Sequence, residues 1–122
     1  MTSNDEMRLP SIKTMQEAAK LAILEDRPVM LDYWLGSIKK TTMIGVNEFV
    51  ENGAKTTEKL LVRNENEYTS PIAKVFRVRT ETVDKATNEE LVEYIIMTEH
   101  SIYIVDSKIP VRPISSFDKK QN

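Results

Sequence analysis

Thr14-Met15-Gln16-Glu17-Ala18-Ala19-Lys20-Leu21-Ala22-Ile23-Leu24-Glu25-Asp26 is the stretch that decides the fold, because it reads as a helix and everything after it reads as strands. Thr14 can accept a hydrogen bond from the backbone N–H three residues on, while Glu17 reaches back to the Thr14 N–H, a capping box. Met15, Ala18, Ala19, Ala22 and Ile23 recur at i, i+3, i+4, i+7 and i+8, which predicts one apolar stripe. Alanine predominates in that stripe, so the helix can sit close to a sheet. Pro28 stops it, since the residue before a proline is pushed out of the helical region and proline donates no N–H.

Strand-like alternation begins there. Val29, Leu31, Tyr33 and Leu35 alternate with Met30, Asp32 and Trp34, and only Asp32 breaks an otherwise apolar strand. Gly36-Ser37 has the length of a hairpin turn, with a return strand over 38–46. Gly45 inside that strand predicts a bend or bulge. Asn52-Gly53 is the strongest turn signal in the chain, and the polar residues 51–58 around it are expected to protrude. Residues 72–83 alternate again, with Lys74, Phe76 and Val78 on one side and Val75, Arg77 and Arg79 on the other. The most apolar strand, 91–99, turns at His100 onto residues 102–105, and Pro110 and Pro113 restrict the last segment to an edge strand or an extended arm.

One helix followed by about six antiparallel strands predicts a mainly β domain, a small barrel capped by the N-terminal helix. That order resembles the Sm-like and SH3-like barrels, and loosely the barrel of the WYL domains, although Tyr33-Trp34-Leu35 is not Trp-Tyr-Leu and no Sm signature is present. Residues 1–11 are expected as a flexible arm, 12–114 as a single helix-plus-barrel domain and 115–122 as a polar tail. At 122 residues the chain is long enough to bury a core without a staple.

Composition excludes more than it assigns. Seventeen basic residues against 19 acidic ones give a net charge of −2, so long-range attraction to nucleic acid is not built into the whole surface. With no cysteine there is no disulfide, thiolate catalysis or cysteine-based metal site. The three glycines form neither a GxGxxG nor a GxxxxGK[ST] loop. No apolar run approaches the ~18 residues of a membrane helix, so no membrane insertion is expected. The polar start, Met1-Thr2-Ser3-Asn4-Asp5-Glu6, lacks the basic and apolar regions of a secretory signal, which predicts action inside a cell or in a particle assembled there.

Candidate chemistry is sparse. His100 is the single histidine, so no His-His metal pair or triad with spare partners can be built, and a hairpin tip suits a solvated residue. Asp32 within an apolar strand is what an acid catalyst would want, but pairing with Lys39, Lys40 or an arginine explains it as well. No catalytic, metal-binding or cofactor-binding residue is therefore assigned and no cofactor is expected. Arg63, Lys74, Arg77 and Arg79 with Tyr33, Trp34, Tyr68 and Phe76 form the best case for contact with single-stranded nucleic acid, in which aromatics stack bases and cations track phosphates. Trp34, Lys74, Arg77 and Arg79 are the residues to carry it, or to carry contact with a protein partner. Arginines on one strand face also serve simply to blunt an edge.

The run Leu61-Val62-Arg63-Asn64-Glu65-Asn66-Glu67-Tyr68-Thr69-Ser70-Pro71-Ile72, with Tyr94-Ile95-Ile96-Met97-Thr98-Glu99-His100-Ser101-Ile102-Tyr103 and Asp32-Tyr33-Trp34, resembles small uncharacterised proteins of large double-stranded DNA viruses. That resemblance implies a minor capsid or virion protein. The sequence expectation is thus a non-enzymatic structural or interaction protein, a virion or assembly component binding itself or a shell protein, with Met7, Leu9 and Phe117 as apolar anchors on the arms. The alternative is a small barrel that binds single-stranded nucleic acid.

Overall fold

The computed structural model describes residues 8–114. Helix α1 spans Ile12–Glu25, and its N-cap is Ser11, whose extended backbone and side-chain oxygen receive the Thr14 N–H at 3.1 Å. The cap therefore lies three residues earlier than the Thr14 capping box. Thr14 is buried inside the first turn with its hydroxyl 2.9 Å from that of Ser11, and Glu17 pairs with Lys20 instead. Asp26 ends the helix in the left-handed conformation (φ 56°) with its N–H on the Ala22 carbonyl. Pro28 follows, as a stop signal should.

This shift of register turns the helix. Thr14, Ala18, Leu21 and Ala22 face the core, at i, i+4, i+7 and i+8, while Met15, Ala19 and Ile23 of the expected stripe face outward. A threonine can take the inner position because its hydroxyl is already bonded to Ser11.

Strand β1 is only Val29–Met30, and helix α2, Trp34–Lys39, replaces the hairpin expected at Gly36-Ser37. Ser37 explains the replacement. Its buried hydroxyl donates to the Trp34 carbonyl at 2.6 Å and accepts the Asp106 N–H at 2.9 Å, which ties a helical turn to a strand far along the chain. Gly36 is required for close approach, since a Cβ there would run into the Thr42 hydroxyl, and its carbonyl accepts the N–H groups of Thr41 and Thr42.

Strands β2 (Met43–Glu51) and β3 (Ala54–Asn64) form a long hairpin around Asn52-Gly53, both at positive φ (54° and 81°), as that dipeptide demands. The polar stretch expected to protrude is thus a paired ladder that closes at Glu51 and Ala54. Gly45 sits in an unbroken part of that ladder; it makes room for the Ile114 side chain rather than a bend. β4 (Glu67–Tyr68) continues from β3 through a register shift. β5 (Ile72–Val83), β6 (Glu90–Thr98) and β7 (Ile102–Asp106) form an antiparallel meander, and β8 (Val111–Pro113) ends at the second proline.

These strands make two open sheets, ordered β1-β7-β6-β5 and β4-β3-β2-β8, each carrying one parallel pair, β1 with β7 and β2 with β8. The molecule is mainly β, as expected, but the described strands do not close into an antiparallel barrel. Closure fails because α2 occupies the chain that would have linked the sheets, and short parallel strands end one side of each. Three layers result. α1 and α2 bury Ala18 and Trp34 against Val78, Ile95, Met97, Ile102 and Ile104 on one face of the first sheet. The alternate residues Ile96 and Val105 meet Ile44 and Leu61 of the second sheet. Leu60, Val62 and Ile114 pack on the far side of that sheet.

Ile104 is fully buried in the first cluster, so truncating it removes packed apolar volume from the core. Ile104→Ala is expected to cost about 2–5 kcal/mol, read as a lowered denaturant midpoint with an unchanged slope.

Candidate partner-binding surface

Arg8 fixes how α1 is presented. Its guanidinium donates to Glu93 Oε2 at 2.9 Å and to Asp106 Oδ1 at 2.8 Å, and its plane lies 5.0 Å from the Trp34 ring centre. Glu93 has no exposed surface, although it stands in the middle of the most apolar strand. Its other oxygen accepts the Ser11 N–H at 3.1 Å, next to the helix N-cap. Asp106 Oδ2 accepts the Lys108 N–H, and the Trp34 indole donates to the Arg8 carbonyl. Every oxygen of both carboxylates thus has a donor. The expectation of a flexible arm over 1–11 is corrected for 8–11, which are anchored, while Met7 and Phe117 lie outside the described residues. Glu93, flanked by Val92 and Tyr94, was the available sequence signal; nothing in the arm itself marked Arg8 as its partner.

With α1 clamped, its second apolar face looks outward. Ile12 and Ile23 are 78% and 80% exposed, Met15 and Ala19 lie between them on the same stripe, and Leu9 and Leu24 flank it, also well exposed. A groove of about 320 Å³ runs between this helix and β5, with Leu21, Phe76, Val78 and Ile95 in its floor and Lys13, Glu17, Arg77 and Arg79 around it.

Lys74, Arg77 and Arg79 are all exposed along β5, the outer strand of the first sheet. Arg79 grips Glu90 Oε1 through both Nε (3.1 Å) and Nη2 (2.8 Å), which raises the arginine's pKa and lowers that of the carboxyl. Lys74 and Arg77 have no ion-pair partner among the described residues. Trp34 does not join them: its ring is 6% exposed in the helix-side core and has no free face for a base. Arg63 is separate too, on β3, where it lies over the Tyr33 ring (5.6 Å) and 3.9 Å from both Asp32 and Glu67. The cationic and aromatic groups that looked clustered in sequence are divided among a basic strand edge, a buried indole and a separate ion-pair site.

The two catalytic candidates are accounted for by their surroundings. Asp32 is half exposed in the turn before α2 and faces Arg63. His100 is exposed at the β6–β7 tip beside Glu99. Tyr33 is the perturbed group here, its phenol pushed from 10.0 up to about 12 by burial first, then by Tyr103 and Asp32, against the opposing charge of Arg63.

A neutral phenol is favoured in the folded chain, so the stability contributed at Tyr33 is intact below pH 10.0 and falls as pH rises towards about 12. Ultraviolet titration should show a phenol that ionises late, at about 12, and Tyr33→Phe should remove that late step.

No family model matches the chain, nor does any curated protein or solved structure.

Proposed function

We propose that the chain is a non-enzymatic interaction protein, a virion or other assembly component that binds copies of itself or a shell protein. The observation that carries this reading is the outward stripe of α1. Scattered exposed apolar residues are ordinary, but Ile12, Met15 and Ile23 share one helix face, with Leu9 and Leu24 beside it. A helix that has already buried one stripe has no internal reason to carry a second. Water meets that second stripe in the isolated chain; a partner would cover it.

The clamp supports the same reading. Arg8, Glu93 and Ser11 hold the helix start rigidly on the sheet, so the stripe is presented on a preformed surface whose ordering cost is met in folding. Among the described residues no helix is long and apolar enough to cross a membrane. The viral assignment rests on the resemblance of residues 61–72 and 94–103 and takes its support from there.

Ile12→Lys/Ile23→Lys alters only exposed side chains and should leave the circular dichroism spectrum unchanged. Sedimentation velocity over a range of concentrations, with the parent chain and with the proteins that co-purify with it, is expected to show complexes that the double variant loses. A parent chain that stays monomeric throughout and co-purifies alone contradicts the proposal.

A further inference from the structure

We infer that the free edge of β5 is a docking site for an extended protein segment in which acidic and apolar residues alternate, added as an outer strand of the first sheet. The inference rests on the interaction role proposed above and specifies the chemistry of one partner. Among the described residues β5 pairs with β6 alone, so from Lys74 to Arg79 the main-chain groups on its other side have no strand partner. Edges of that length are normally shortened, bent, covered or guarded by charged side chains, and Lys74, Arg77 and Arg79 guard this one against unselective pairing. Here the regular part is left accessible: its ladder runs in register from Lys74 to Arg79, before Glu81 at φ 63° interrupts it.

The two sides of the edge differ, and together they specify the segment. On the α1 side lies the groove floored by Leu21, Phe76, Val78 and Ile95, which would take the apolar residues of an added strand. The side chains of Val75, Arg77 and Arg79 alternate to the other face of the sheet, where the intervening residues would fall, and Arg77 and Arg79 also border the groove. Successive side chains alternate between these sides. Arg79 is already engaged by Glu90; Arg77, whose charge also acts on Glu90, and Lys74 further along the edge make no ion pair within 4.0 Å among the described residues. Opposite charges directly across a strand pair are favourable and like charges are not.

That charge pattern also separates the candidate occupants. A second copy of β5 paired about Arg77 or Val78 would set arginine against arginine, so the edge disfavours its own copy. Single-stranded nucleic acid would satisfy the cations but not the open backbone groups. Its bases would find no exposed aromatic at Arg77, since Trp34 is buried and Phe76 belongs to the groove floor. An acidic, alternating peptide meets all three demands: main-chain pairing, apolar floor and cations.

The test uses the full chain and a fluorescein-labelled peptide, Glu-Val-Glu-Val-Glu-Val-Glu, followed by anisotropy and by amide hydrogen exchange. The peptide should bind, slow exchange in β5 and leave β8 unchanged; a matched peptide with lysine for glutamate should not bind. Arg77→Glu, an exposed change, should weaken binding about tenfold. No binding at about 1 mM peptide, equal binding of the lysine peptide, or protection outside β5 overturns the inference. Tighter binding of an oligothymidylate that is lost in Arg77→Glu overturns it too, and reassigns the edge to nucleic acid. Sedimentation of Arg77→Glu separates the two proposals. If complexes form as in the parent while the peptide fails, the strand-addition site falls and the interaction role stands.

Discussion

The arrangement depends on one buried ion triad, Arg8 with Glu93 and Asp106. Glu93 is fully enclosed in the sheet, and a carboxylate there without its cation would cost about 3–5 kcal/mol, a large part of what a small domain has. Arg8 meets the need of two strands at once and stacks on Trp34, and the indole in turn returns a hydrogen bond to the Arg8 carbonyl. The same carboxylate holds the Ser11 N–H, so the helix cap and the ion pair share one anchor. Helix orientation, the burial of Trp34 and the position of α2 through Ser37 and Asp106 are all fixed around this point.

The orientation decides what the surface offers. Turned by the Ser11 cap, α1 commits Ala18, Leu21 and Ala22 to the core and leaves Ile12, Met15 and Ile23 outside. An apolar helix face and an open strand edge are therefore both exposed, and the groove between α1 and β5, bordered on the helix by Lys13, Glu17 and Leu21, is separate from the apolar stripe. Both are surfaces for association, and they differ in chemistry: one excludes charge, the other asks for acid.

Local signals read well where the chemistry was local. Asn52-Gly53 demanded positive φ at both residues and produced the hairpin, Pro110 and Pro113 limited β8 to three residues at an edge, and the alternation of 74–79 gave the correct faces of β5. The strand expected over 29–35 survives only as Val29–Met30, because a tertiary bond overrode the rest of its pattern: Ser37 spans α2 and β7, and apolar residues such as Trp34 and Leu35 suit a short helix equally well. The cap was misplaced because Ser11 and Thr14 both have cap chemistry three residues apart, and only packing decides which is buried. The surface was the least legible part. Arg8 and Glu93 are 85 residues apart in the chain, and no periodicity connects an arginine in a polar arm with a glutamate in an apolar strand.

The clamp is tested most directly by amide hydrogen exchange on Arg8→Ala against the parent chain. Loss of the guanidinium should raise exchange in α1, Ile12–Glu25, far more than in the β2–β3 hairpin, which shares no bond with the triad. Unchanged protection in α1, or an equal loss across helix and hairpin, would contradict the view that this triad seats the helix and sets the surface it presents.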